Sequence, residues 1–383
     1  MRNWAALLLC ALLTACATPQ RVPAPEFLFR DEIFAAPSER IAAGDVFALS
    51  DPMKRYLRTS IAGQLQSMGS QQQRLLNALY QKDQLKLQYD ASVTRNASQA
   101  FDARAGNCLS LVIMTAAFAK ELGLQVRYQS AYLEETWGRS GDLLVRSGHV
   151  NVTLDRRFGD RSTIGNTSAL TIDFLPAENL RGLRSRDISE EMIIAMYMNN
   201  KAVEALVEGR LDDAYAWTRE AVLQSPEYLG SHNTLGVLYM RRGDLAQSAK
   251  VFNYLLERDP TNARAMSNLA QVFARQGRDV ESAALLRRLA EIEPVAPFHY
   301  FQRGLAAMEQ EDFKLARDLF AKEVARADYH AEFHFWLAIA NFKLGDIEPA
   351  RKHLTLAMEN GATRNDRALY AAKLAWLQTH KFQ

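Results

Sequence analysis

Three side chains stand out for the chemistry they could do together: Cys108, His149 and Asp173. A thiolate is a strong nucleophile, an imidazole can carry its proton, and a carboxylate can fix the ring's tautomer and orientation. Such a set suits attack on a carbonyl through a covalent intermediate. Cys108 opens a run in which Leu109, Val112, Ile113, Ala116, Ala117 and Leu122 recur at helical spacing until Gly123 ends it. It therefore sits in the first turn of a helix buried on at least one face. A helix N-terminus favours negative charge, and so favours a thiolate.

The other two members fall on strands. Gln125 to Tyr132 reads as a strand, and His149 to Leu154 and Leu170 to Phe174 alternate strictly. Val150, Val152 and Leu154 share one face and leave His149 on the other, while Leu170, Ile172 and Phe174 leave Asp173 opposite them. Paired as antiparallel neighbours through the polar turn Asp155 to Ser168, these strands bring His149 and Asp173 to one side of a sheet. Asp155 is the rival orienter, although its place in Asp155-Arg156-Arg157 suits a turn. Upstream, Asp51-Pro52 starts a helical region, with Asp51 as N-cap, that continues through Leu75, Leu76 and Leu79 to a polar break before Phe101. Trp137 and Arg139 belong to a long stretch, Glu134 to Arg146, expected as an exposed loop that could gate the cleft. Arg181, Arg184 and Arg186 read as a basic linker.

The order of a helical cysteine, then His and Asp on successive strands, resembles the transglutaminase-like superfamily of papain-like cysteine enzymes. Ala97-x-x-x-x-Asp102-x-Arg104-x-Gly106-Asn107-Cys108 and Ala119-x-Glu121-Leu122-Gly123-Leu124 carry the resemblance, over residues 55 to 185. It implies an α+β papain-like domain, placed at 51–187, with Cys108 as nucleophile, His149 as general base and acid, and Asp173 as orienter. The Cys108 backbone N–H is the expected oxyanion donor, with Asn107 a candidate second. The chain departs from the family where His149-Val150-Asn151 replaces a His-Ala-Trp pattern. Hydrolysis is expected ahead of cross-linking, because transfer to an amine needs a site that disfavours water and no such feature shows.

The second half of the chain is periodic. Gly209, Gly243, Gly277 and Gly345 are spaced by 34 residues or twice that, with Glu311 in the missing slot, and Pro226, Pro260 and Pro294 keep the same period. Leu235, Gly236, Tyr239, Gly243, Phe252 and Pro260 match one unit, Leu269, Ala270, Phe273, Gly277 and Pro294 the next, and Gly304, Ala338 and Ala350 supply small contact positions later. This resembles the tetratricopeptide (TPR) repeat. The resemblance implies an all-α TPR solenoid of five repeats over 195–362, a capping helix within 363–383, and a concave face that takes a protein or peptide partner. Asn233, Arg264, Asn268 and His334 are candidates for that face.

At the other end, Arg2, the apolar run Trp4 to Leu13 and the small residues after it have the layout of an export signal, too short for a permanent span of roughly 20 residues. Leu13-Thr14-Ala15-Cys16 resembles the bacterial lipoprotein box. That implies a signal peptide at 1–15, lipidation of Cys16, and membrane attachment in the cell envelope. Ala17 points to the outer membrane, facing the periplasm, with the inner membrane left open. Pro19, Pro23, Pro25 and Pro37, without sustained periodicity, mark 16–50 as a tether.

Composition narrows the rest. With 46 basic and 44 acidic side chains in 383 residues, no basic excess argues for nucleic acid. The seven histidines are scattered and no Cys-x-x-Cys or phosphate-cradling glycine loop occurs, so neither metal nor cofactor is expected. Cys10 leaves with the signal and Cys16 takes lipid, so Cys108 has no disulfide partner in its own chain. The expected function is an envelope lipoprotein whose cysteine site acts on amide or peptide bonds of a protein recruited by the solenoid. A catalytically silent adaptor for assembling an envelope complex is the alternative.

Overall fold

The computed structural model describes residues 23–62, 70–81, 84–132, 137–140, 143–146, 149–155, 169–174 and 184–379. The expected signal peptide, the expected lipid attachment at Cys16, Arg181 and the turn expected between the His149 and Asp173 strands lie outside them.

Helices α1 (Asp51–Tyr56) and α2 (Gln71–Tyr80), strand β1 (Gln88–Tyr89), helix α3 (Ala97–Ala103) and strand β2 (Ala105–Gly106) lead into helix α4 (Cys108–Glu121). Strands β3 (Gln125–Tyr132), β4 (Trp137–Ser140), β5 (Leu143–Arg146), β6 (His149–Asp155), β7 (Leu170–Ile172) and β8 (Arg184–Ile188) follow. Helix α4 is apolar all round, which suits only a helix enclosed on every side, and it is buried from Cys108 to Ala119. It packs on an antiparallel sheet of order β7-β6-β3-β8, with α2 and α3 also against it.

Several local expectations change. Ser50, not Asp51, is the N-cap position of α1, and its side chain makes no capping bond. The helix soon passes into a π-type turn, Leu57–Ala62. The polar break before Phe101 holds β1 and ends in a helix, α3, started by an Asn96/Gln99 capping box. The stretch from Trp137 to Arg146 contains the antiparallel hairpin β4–β5. Arg184 and Arg186 are not linker but lie in β8, which completes the sheet against β3.

The solenoid is built from five helix pairs. They are α5 (Glu190–Val207) with α6 (Leu211–Gln224), α7 (Leu229–Arg242) with α8 (Leu245–Arg258), α9 (Ala263–Arg275) with α10 (Asp279–Ile292), α11 (His299–Glu309) with α12 (Phe313–Arg326), and α13 (Ala331–Leu344) with α14 (Ile347–Glu359). A last helix, α15 (Arg364–Thr379), caps them. Within two pairs the helices approach so closely that a Cβ on Gly236 would stand 2.6 Å from the Phe252 ring, and one on Gly304 2.5 Å from Phe320. The inner-turn glycines all have positive φ, and Glu311 takes the same left-handed conformation at φ 57°. Glutamate pays about 1–2 kcal/mol of steric strain there, against up to about 1 kcal/mol of extra chain entropy for glycine. Glu311→Gly is therefore expected to raise stability by about 0.5–1 kcal/mol, read as a higher urea midpoint at unchanged slope.

Packing along the solenoid is not uniform. Successive pairs are joined by contact of each second helix with the next first helix, except at α10 and α11, which barely touch. The apolar clusters divide at the same place, one ending with Phe273 and Leu285, the next beginning with Phe298. Along α10 only Ser282 is buried, and Val280 is 83% exposed.

At the N-terminal end the molecule is continuous. One apolar cluster runs from Val46 through α4 and the sheet to Ile193, Met198, Ala202, Trp217 and Ala221, so the first repeat shares the core of the α+β unit. The segment expected as a tether is bound along the first two repeats. Leu28 is fully buried among their side chains, and its carbonyl accepts from Tyr239 Oη at 2.8 Å and Gln247 Nε2 at 2.9 Å. Phe34 stacks on Tyr215 at 3.9 Å, Arg242 donates to the Ile33 carbonyl at 2.7 Å, and the Ser38 N–H and Oγ both donate to Asp213.

Candidate active site

Cys108 is the first residue of α4, in a helix start shaped by its neighbours. Asn107 is the N-cap, its Oδ1 accepting from the Ser110 N–H at 2.9 Å and Ser110 Oγ at 2.8 Å, while its Nδ2 donates to Thr94 Oγ1 at 3.0 Å. Asn107 thus caps and positions the turn, with its side-chain oxygen and one of its two amide N–H groups engaged. A Cβ on Gly106 would stand 2.6 Å from the Ser110 Cβ, so this approach to the cysteine admits only glycine. Cys108 is a free thiol, 9% exposed.

The strands place the other two residues as their alternation implied. β6 and β7 are antiparallel, with Val152 opposite Ile172 and Leu154 opposite Leu170, so Asp173 follows directly beside Asn151. His149 Nε2 lies 2.8 and 2.9 Å from the two Asp173 carboxylate oxygens, and the Cys108 sulfur is near enough to the ring to help raise its pKa. Imidazole and carboxylate are thus hydrogen-bonded, with the thiol beside the ring. Two residues that sequence did not single out hold the carboxylate end: Asn151 Nδ2 donates to Asp173 Oδ2 at 3.3 Å, and Tyr80 Oη donates to the Asp173 carbonyl at 3.0 Å. Asn151 had a readable signal, since it shares His149's strand face; Tyr80 had none. The rival orienter, Asp155, is at the far end of β6, paired with Arg127 Nε at 2.7 Å.

The site has a distinct electrostatic signature. Burial works against a charge on His149, but the Asp173 carboxylate and the Cys108 sulfur outweigh it and raise the imidazole to about 9. An unfolded histidine titrates near 6.5. The protonated ring therefore contributes stability that is fully present below about pH 6.5 and is lost as pH rises through about 9, a change on the order of 3 kcal/mol. The urea midpoint is expected to fall across that window in the wild type and to lose this dependence in Asp173→Asn. His232 and His353, lowered to about 4 chiefly by burial, act only at lower pH and leave the window clear.

The candidates for the partner face divide. Asn268 Nδ2 donates to Asn233 Oδ1 at 3.1 Å, linking the first helices α7 and α9, and Arg264 is half-buried at the start of α9. His334 is not on that face: it is buried, with Nε2 2.8 Å from the Asp328 carbonyl oxygen and Nδ1 3.0 Å from His353 Nδ1.

Paired helices on a 34-residue period, positive-φ glycines at the inner turns and close helix contacts over glycine together define a TPR array, a helical protein-binding solenoid, in the C-terminal half. The tetratricopeptide repeat family matches residues 233–297 and 301–365. Similar solved structures include TTC0263, a thermophilic TPR protein in Thermus thermophilus, at 18% identity over 47% of this chain and 99% of that one, with a TM-score of 0.28. MamA from Desulfovibrio magneticus RS-1 is 19% identical over 46% of this chain and 98% of that one, TM-score 0.26. Pseudomonas aeruginosa pilF is 18% identical over 49% and 93%, TM-score 0.26. No curated protein matches the chain.

Proposed function

We propose that this chain is a protein-binding TPR molecule whose α+β unit, transglutaminase-like and papain-like in design, cleaves amide or peptide bonds with Cys108, His149 and Asp173. The observation that carries this reading is the hydrogen bond of His149 to Asp173, with the Cys108 sulfur close enough to the same ring to raise its pKa. In the first step the Cys108 sulfur attacks the substrate carbonyl and a C–S bond forms. The Cys108 N–H, at the free end of α4, would receive the charge that gathers on the carbonyl oxygen. His149 then protonates the leaving nitrogen as the C–N bond breaks, giving a thioester and a free amine. Water, deprotonated by the same ring, attacks the thioester, and the C–S bond breaks to give a carboxylic acid and the thiol. Asp173 holds the ring in one tautomer throughout and does not itself change protonation. Hydrolysis is preferred to cross-linking for the reason given from sequence. Lipid on Cys16 would fix the molecule to the envelope membrane, with the outer membrane and the periplasm as its setting.

The second reading, a silent TPR adaptor or scaffold, is favoured by the family match, which reaches only the solenoid. Co-purification from the producing cell separates the two. With Cys108→Ala, a protein held by the solenoid is expected to be retained intact, while the wild type releases it with one amide or peptide bond cleaved. The same protein recovered unaltered from both would make the scaffold the correct reading.

A further inference from the structure

The last helix of the solenoid reaches back to the α+β unit. Arg367 Nη2 donates to the Tyr89 carbonyl at 2.7 Å while Nη1 donates to the Gly361 carbonyl at 2.6 Å, and the Ala91 N–H donates to the Ala362 carbonyl at 3.0 Å. Charge supports the contact. Burial works against the Asp90 carboxylate, but bonds from Ser92 and the cations Arg95 and Arg364 hold its acid below the ordinary aspartate range.

The strand gripped in this way is the one beside the nucleophile. β1 runs parallel to β2 with Tyr89 opposite Gly106, and the Gln88 and Asp90 N–H groups donate to the Arg104 and Gly106 carbonyls at 3.0 and 2.9 Å. Cys108 lies two residues past Gly106, on a turn with no room for a side chain at that glycine. The Tyr89 ring is close enough to feel the sulfur: burial first, then Cys108, push its phenol above the ordinary tyrosine range, with Arg367 pulling the other way. The half of the solenoid that carries Arg367 is joined to the other half across the thin seam at α10 and α11. The grip on β1 is thus a main tie between that half and the rest of the molecule.

We infer that Arg367 is a positioning residue for Cys108, holding β1 through the Tyr89 carbonyl and so keeping β2 and the Gly106-Asn107-Cys108 turn where the thiol meets His149. The inference rests on Cys108 being the nucleophile of the proposed reaction. It makes the far half of the solenoid a part of the site's construction.

The test is the rate of Cys108 alkylation by iodoacetamide in the full chain from pH 5 to 10, with hydrogen exchange over residues 86–92 as the measure of the grip. Arg367→Ala is expected to speed exchange there, to slow alkylation at pH 7 at least fivefold, and to move the pH profile toward that of a free thiol. Arg367→Lys should restore at least half of the lost rate. Faster exchange with an unchanged or increased alkylation rate would overturn the positioning role while leaving the nucleophile standing. A wild-type thiol no faster than that of His149→Ala would instead remove the nucleophile reading itself. If Arg367→Ala does not fold, Arg367→Gln, which keeps one donor, replaces it, and an unchanged rate in that variant has the same meaning.

Discussion

His149→Ala is expected to slow alkylation of Cys108 by iodoacetamide at pH 7 by up to about 30-fold. The size follows from the reacting species. Only the thiolate is alkylated at an appreciable rate, and an unperturbed thiol is about 3% ionised at neutral pH, so full ionisation is worth about 30-fold. In the folded protein the Cys108 sulfur lies beside an imidazole whose pKa is raised to about 9. Removing that ring removes the neighbouring positive charge. Asp173→Asn should give a smaller loss, because the ring remains but its charge is less well supported. The low exposure of the thiol slows all of these variants alike, so the ratio of rates, followed by intact mass, is the informative quantity. Equal rates for wild type and His149→Ala would show that the assembled triad does not activate its cysteine.

Leu28→Ala should destabilise the protein by about 3 kcal/mol. Deleting a fully buried leucine side chain costs about 2–5 kcal/mol, through lost transfer energy and the cavity left behind. Leu28 has no exposed surface and lies in the same cluster as Tyr215, Leu235 and Tyr239 of the first two repeats. Tyr239→Phe, which removes only one of the two bonds to the Leu28 carbonyl, is expected to cost about 1 kcal/mol. Urea unfolding of the two variants measures both. A free tether would make Leu28→Ala neutral, and that result would detach residues 24–39 from the fold.

The candidate site was legible because each member sits on or directly beside a regular element. The period of Leu109 to Leu122 marked the helix that Cys108 starts, and strict alternation put His149 and Asp173 on one side of two strands. Glycine at a fixed period revealed the solenoid, down to Glu311 taking the conformation its slot requires. What was hidden has no local signature. The segment around Leu28 folds as short 3-10 turns, which carry no hydrophobic period, and its partners lie about 200 residues away in sequence. Tyr80 and Arg367 act through backbone carbonyls that any residue could supply, so nothing in their surroundings marks the contact. Asn107 was read by its closeness to the nucleophile, and the structure gives it a role that closeness did not announce, its side-chain oxygen capping the helix start.

The seam between α10 and α11 bears on how the molecule folds and melts. A repeat array is cooperative only as far as each unit is stabilised by its neighbour, so a weak junction cuts the chain of nearest-neighbour couplings. Repeats one to three, with the α+β core that the first of them shares, then form one cooperative unit, and repeats four and five with α15 form a second. The second unit can unravel and re-form at a free-energy cost below that of global unfolding, as a foldon of its own.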